Sequence, residues 1–225
     1  MNMDSYITAV LLGPPGSGKG TQAELLEVEF SLCHFSTGEM FRESVRQKTE
    51  LGSIVEDIMR KGALVPDDIL YKLVKEKVNE IIASRKDILF DGYPRTLVQA
   101  EQLDEILGEY GIELGGVIFI DVPEDILVKR LSGRLYCPRC EATYNVYFKP
   151  PMQDNRCDEC GGELTRRSED YPEAIRARLT VYNEQTYPVL NYYKKQGKLF
   201  DVNGEKSVER VFADIACLIN TIKTR

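Results

Sequence analysis

Gly13-Pro14-Pro15-Gly16-Ser17-Gly18-Lys19-Gly20-Thr21 follows an apolar run and opens a helical pattern. Glycines at this spacing let the backbone turn its N–H groups toward anionic oxygens. The helix N-terminus adds positive potential at the same point, and Lys19 supplies a point charge for outer phosphates. The general phosphate-loop pattern places Ser or Thr directly after the lysine as a magnesium ligand. Here Gly20 stands in that place and Thr21 follows, which weakens the match to GTPases and motor ATPases. Asp91 ends a second apolar run, Ile88-Leu89-Phe90, next to where the loop should emerge. A carboxylate there can orient water on a Mg²⁺ ion that bridges two phosphates; the structural alternative is a cap or an ion pair with an arginine.

A second constellation is metal-like. Cys137-Pro138-Arg139-Cys140 and Cys157-Asp158-Glu159-Cys160 are separated by 16 residues, within the window of two-knuckle zinc sites. Four thiolates make a closed tetrahedral site, hence a structural Zn²⁺ rather than a catalytic one. Iron or cobalt suits the same sulfur tetrahedron, and four reduced thiols in a segment that folds without metal are the alternative. Cys33 and Cys217 lie in apolar surroundings and read as core residues. His34, the single histidine, stands beside a strand and reads as structural.

These residues need elements to position them. Strand-like runs at 6–12, 33–35, 88–90, 117–120 and 199–202 alternate with helical patterns near 19–30, 67–84, 97–110, 124–131, 172–195 and 207–223. Such alternation predicts an α/β fold, a parallel five-stranded sheet flanked by helices, with ligands beyond the carboxyl ends of the strands. Ser36-Thr37-Gly38-Glu39 has capping-box spacing. Asp170-Tyr171-Pro172-Glu173 combines a capping Asp with an early Pro and Glu. Pro188 should kink or divide the long pattern it falls in. Two segments interrupt the alternation: a helical excursion over 37–65, and a stretch over 133–170 rich in Cys, Pro, Gly and polar residues. The chain divides into a core of 1–36, 66–132 and 171–225, the 37–65 insertion and a small 133–170 subdomain.

Composition limits the function. The 225 residues carry a formal net charge of −7, which argues against a nucleic-acid binder. No run approaches the roughly 18 apolar residues of a membrane span. Residues 1–9 have no basic region followed by an apolar one, so no signal peptide is expected, and the expected compartment is the cytoplasm.

The Gly-Lys-Gly-Thr ending resembles the nucleoside monophosphate kinases, and the rest of the chain can be compared with them. Ser36-Thr37-Gly38-Glu39-Met40-Phe41-Arg42 is similar to the start of their monophosphate-binding segment. Asp91-Gly92-Tyr93-Pro94-Arg95-Thr96, with Gln99 shortly after, is similar to the segment that holds AMP in the adenylate kinase family. Arg130-Leu131-Ser132-Gly133-Arg134 resembles the hinge into that family's lid, and Arg167, Asp170 and Arg178 fall where its returning lid residues stand. The resemblance covers nearly the whole chain in order.

It implies reversible phosphoryl transfer from Mg-ATP to AMP, giving two ADP. ATP would lie on Gly13, Pro15, Gly16, Ser17, Gly18, Lys19, Gly20, Thr21, Arg130 and Arg134, with its base near Thr143, Tyr144 and Lys206. AMP would meet Thr37, Arg42, Val65, Gly92, Arg95, Gln99, Arg167 and Arg178. Catalysis would fall to Lys19, Asp91, Arg95, Arg130, Arg134, Arg167 and Arg178, because transfer needs two aligned nucleotides and stabilised negative charge. The attacking phosphate oxygen of AMP is already anionic, so no general base is required. The 37–65 and 133–170 segments would close over AMP and ATP and expel water, in a family that is commonly monomeric. Two rivals remain: a kinase for GMP, UMP or CMP, or one with GTP as donor, and a zinc-ribbon module that binds nucleic acid.

Overall fold

The structure is a computed structural model that describes residues 6–224. A five-stranded parallel sheet is built from β1 (Thr8–Leu12), β2 (Cys33–Ser36), β3 (Ile88–Asp91), β4 (Gly116–Asp121) and β7 (Leu199–Asn203), in the spatial order β2-β3-β1-β4-β7. Every residue of β1 is buried because helices cover both faces. Val10 and Leu12 join one core with Phe35, Phe90, Val117 and Val74, while Ala9 and Leu11 join a second with Leu89, Ile118, Leu26 and Ile215. The two-residue period of a strand sends alternate side chains to opposite faces.

Register places the chemistry. Leu11 pairs with Asp91, and Asp91 with Ser36, so β1, β3 and β2 end level. The phosphate loop, Asp91 and the start of α2 (Thr37–Arg46) therefore emerge side by side at the carboxyl edge. The loop feeds α1 (Lys19–Phe30). Ser36 caps α2, its Oγ accepting from the Glu39 N–H at 3.4 Å. α2 crosses α3 (Glu50–Arg60) at Gly52, where a Cβ would stand 2.1 Å from the Ser44 carbonyl oxygen. Only glycine permits that approach.

α4 (Asp67–Ala83), α5 (Leu97–Glu109), α6 (Glu124–Ser132) and α9 (Val208–Lys223) lie where the periodicity predicts them, to within a residue or two. The long pattern over 172–195 is divided as Pro188 requires: α7 (Pro172–Val181), a π-helical turn (Tyr182–Thr186) and α8 (Tyr187–Lys195). The proline ring removes a donor and displaces a carbonyl, and the widened turn before it absorbs the mismatch.

Two local expectations are corrected. Asp170 does not cap α7; Tyr171 holds the cap position with no side-chain bond, because the Asp170 carboxylate is drawn to two arginines described below. Cys217 is exposed and Cys33 only partly buried. α9 turns Val211, Ile215, Ile219 and Ile222 inward, which leaves Cys217 on its outer face. The start of the chain, residues 1–5, on which the expectation of no signal peptide partly rests, lies outside the described residues.

Residues 133–170 stand apart from the sheet. β5 (Arg134–Tyr136) and β6 (Thr143–Asn145) form an antiparallel pair over a small core of Leu135, Cys137, Tyr144, Cys157 and Leu164. Among the described residues, no helix is long and apolar enough to cross a membrane.

Candidate active site and metal centre

The loop from Gly13 to Gly18 is shaped by left-handed glycines, with φ of 154° at Gly13, 86° at Gly16 and 101° at Gly18. A Cβ on Gly13 would also stand 2.8 Å from the Ile120 carbonyl oxygen. Lys19 Nζ donates to the carbonyls of Gly13 at 2.8 Å and Pro14 at 3.0 Å, and lies 3.4 Å from Ser17 Oγ. Burial lowers the Lys19 ammonium to about 8; Asp91 opposes the shift, while Arg95, Arg178 and Arg134 add to it. A cation made costly by burial and by neighbouring cations is poised for an anion.

Asp91 is buried at the end of β3, with its Oδ2 3.5 Å from His34 Nε2. Burial works against its charge, but His34, Lys19 and Arg95 outweigh it and hold the carboxyl below its ordinary range. The same pairing raises His34 against the effect of its burial. The sequence reads His34 as structural; the partner it has is Asp91, the candidate carboxylate for the magnesium site. The parallel register of β2 and β3, which brings the two together, has no local signal in the sequence.

Arginines face this centre from three directions. From α6, Arg130 donates to the Ser17 carbonyl at 3.3 Å and the Gly204 carbonyl at 2.9 Å, and its guanidinium lies over the Phe148 ring at 5.8 Å. Arg134 grips Asp170 bidentately, Nε and Nη2 each at 2.6 Å. From α7, Arg178 reaches the same carboxylate at 2.9 Å. Asp170 has a side-chain exposure of 0%, so its charge requires these partners. Arg167 packs over the Tyr136 ring at 5.6 Å, and its buried Nε has no protein partner. Desolvation, with Arg134 and Arg42 nearby, pushes the Arg167 guanidinium well below its usual range.

A second group lies under 37–65. Thr37 Oγ1 donates to the Gly92 carbonyl at 2.9 Å and Arg95 Nε to the same oxygen at 2.7 Å. Arg42 Nη1 lies 3.5 Å from Glu169 Oε1, a buried carboxylate that sequence reasoning missed. Gln99 is fully buried: its Oε1 accepts from the Arg95 N–H at 2.7 Å, and its Nε2 donates to Asp67 Oδ1 at 2.6 Å.

All these residues border two connected regions of one cleft. The main volume, about 880 Å³, is lined by Gly13, Pro15, Gly16, Ser17, Gly18, Lys19, Gly20, Thr21, Arg42, Asp91, Gly92, Arg95, Arg130, Arg134, Thr143, Tyr144, Arg167, Arg178 and Lys206. A smaller one is lined by Thr37, Val65 and Gln99, and it shares Arg42, Gly92, Arg95 and Arg178 with the first. Every residue expected to meet a nucleotide thus lines the cleft. Two do other work as well: Lys206 is paired with Asp214 at 2.6 Å, and Tyr144 supports the cysteines.

The four cysteine sulfurs lie within 4.8 Å of one another, with Cys137 and Cys160 at 3.5 Å and Cys140 and Cys157 at 3.4 Å. Zinc–sulfur bonds of about 2.3 Å give tetrahedron edges just under 4 Å, so the donor set fits Zn²⁺. The Tyr144 hydroxyl accepts from the Asp158 N–H at 2.9 Å and points to Cys157 Sγ at 3.5 Å. Its hydrogen bond holds the Cys157 thiol down at about 6, as a metal-binding thiolate requires.

Comparison with known proteins agrees with this geometry. A family model described as adenylate kinase matches residues 11–198. The adenylate kinase of Syntrophomonas wolfei is 48% identical over 206 residues, covering 92% of this chain and 95% of the relative. That of Carboxydothermus hydrogenoformans is 49% identical over 206 residues, covering 92% and 96%. An archaeal relative, the adenylate kinase of Archaeoglobus fulgidus, is 44% identical over 215 residues, covering 96% and 99%.

Proposed function

The chain belongs to the adenylate kinase family, and from that premise we propose how its cleft carries out reversible phosphoryl transfer from ATP to AMP. The observation that carries the reading is the convergence of Asp91, Arg95, Arg134 and Arg178 around Lys19 in one cleft, close enough to shift its charge.

ATP arrives as its magnesium complex, a substrate. Its phosphates lie along residues 13–21, with Lys19 at the outer phosphates and Asp91 orienting the hydrated ion. Its base lies between Arg130 and the Thr143, Tyr144 and Lys206 side. AMP occupies the smaller region, its base toward Val65 and Gln99 and its phosphate toward Arg42 and Arg95. A phosphate oxygen of AMP attacks the γ-phosphorus as the bond to the bridging oxygen breaks. The electron pair stays on the leaving β-phosphate, so two ADP form and no proton moves. Arg134, Arg167 and Arg178 answer the charge that spreads over the transferring group, bidentately and without deprotonating.

Residues 133–170 act as a lid and 37–65 as a monophosphate flap on the remaining core. Cys137, Cys140, Cys157 and Cys160 would hold Zn²⁺, which supplies order to a lid whose apolar core is only a few side chains. The reading carries with it a monomer, as the family resemblance implies, and keeps the cytoplasmic expectation from the sequence. Incubation with Mg-ATP and a panel of monophosphates tests it. ADP should accumulate with AMP and not with GMP, UMP or CMP; turnover with one of those and none with AMP would move the substrate.

A further inference from the structure

We infer that Asp67 is a positioning residue that fixes the polarity of the Gln99 amide, and thereby selects a 6-aminopurine over a 6-oxopurine in the acceptor site. This deepens the proposed reading of Gln99 as a contact to the acceptor base and rests on it.

The polarity of a carboxamide follows from its neighbours. The Arg95 backbone N–H, 2.7 Å away, can face only the Gln99 oxygen, and the Asp67 carboxylate, 2.6 Å away, can face only its NH₂. Rotating the amide by half a turn would set N–H against NH₂ at one end and carbonyl against carboxylate at the other. With Gln99 fully buried, no water relieves either clash. Asp67 is itself oriented: Thr96 Oγ1 donates to its Oδ2 at 3.4 Å while accepting from the Gln99 backbone N–H at 3.1 Å. The carboxylate comes from the first turn of α4, and Gln99 from the first turn of α5. These two helices also pack through the shared core, and their first turns meet at this amide.

Each amide atom keeps one further bonding direction, and Gln99 lines the smaller cavity with Val65, Leu70 and Gly92. The amide therefore offers an acceptor beside a donor in fixed order. An adenine edge, amino donor beside ring-nitrogen acceptor, complements that order. A hypoxanthine edge, carbonyl acceptor beside N–H donor, complements only the rotated amide. A buried site built for one pattern discriminates strongly, because the wrong base leaves polar groups unpaired. Without Asp67, the Arg95 N–H alone would hold the amide.

The test compares kcat/KM for AMP with kcat/KM for inosine monophosphate, with ATP as donor, in the full chain. Asp67→Ala should lower the AMP-to-inosine ratio by about tenfold or more, the worth of one charge-assisted hydrogen bond, while KM for ATP stays within about twofold of the parent. Asp67→Ser, too short to reach Nε2, should behave alike and carries the test if the alanine chain fails to fold. Asp67→Asn, which keeps an acceptor oxygen, should fall between Asp67→Ala and the parent. A parental ratio in folded Asp67→Ala or Asp67→Ser overturns the inference. Gln99→Leu separates the two levels. If it abolishes the discrimination while the Asp67 variants retain it, the positioning role alone fails. If it leaves the ratio unchanged, the base-contact reading fails, and this inference with it.

Discussion

At the scale of single residues, the site crowds cations together, and not every one of them has a protein partner. Arg167 is the clearest case, with a guanidinium nitrogen buried without a protein acceptor and cations on two sides. Such an arrangement is costly in the free protein and gains most when negative charge develops between the cations. Arg167→Ala and Arg134→Ala should each lower kcat/KM by on the order of a hundredfold or more. Arg167→Ala should change folding little, whereas Arg134→Ala should also cost stability because it leaves the buried Asp170 with Arg178 alone. Steady-state kinetics within about twofold of the parent would remove these residues from the transition state. Lys19 gives a pH prediction. Its ammonium titrates at about 8 in the free chain, and a bound triphosphate raises that value by favouring the charged form. At about pH 8.5, nucleotide binding should therefore take up a proton, and affinity should weaken as pH rises above 8. Calorimetry in two buffers of different ionisation enthalpy reads this directly; no net uptake would contradict the burial argument.

At the scale of elements, the legible parts were those whose signals are local. The phosphate loop, the two cysteine pairs and the capping spacing at Ser36 each lie within a few residues of chain; the structure turns the loop at its glycines, gathers the four sulfurs and caps α2 at Ser36. The pairing of His34 with Asp91 depends on parallel register, and the diversion of Asp170 from a cap to Arg134 and Arg178 depends on a turn that closes the lid. Neither leaves a trace in the local pattern. The 133–170 segment illustrates both sides. Its cysteine spacing is plain, but the support of Cys157 by Tyr144 needs the β5–β6 pairing to be known. Because the lid core contains only five buried side chains, most of its order should come from metal. Chelation, or Cys140→Ser, should raise KM for ATP several-fold and unfold the lid at a lower temperature than the sheet. A single unchanged melting transition and unchanged KM after metal removal would show that the lid folds by itself.

At the scale of the whole molecule, the fold brings two appendages to one edge of the parallel sheet. The core holds the phosphate loop, Asp91, Arg95, Arg130 and Arg178; the appendages add Arg42, Arg134 and Arg167. They touch directly: Arg46 on α2 lies 3.1 Å from Glu141 Oε1 and 3.4 Å from the Pro138 carbonyl in the cysteine loop. This exposed contact joins the two appendages at the surface. In the proposed mechanism the anionic oxygen of AMP needs no general base, and closure of the two appendages over the nucleotides keeps the phosphoryl group from water. The most direct measurement follows ADP and inorganic phosphate together, with Mg-ATP alone and with Mg-ATP plus AMP. The account predicts two ADP for each AMP consumed, and phosphate release at least about a hundredfold slower than that transfer in both conditions. Phosphate release at a comparable rate, unaffected by AMP, would mean that the cleft hydrolyses ATP and does not join two nucleotides in one reaction.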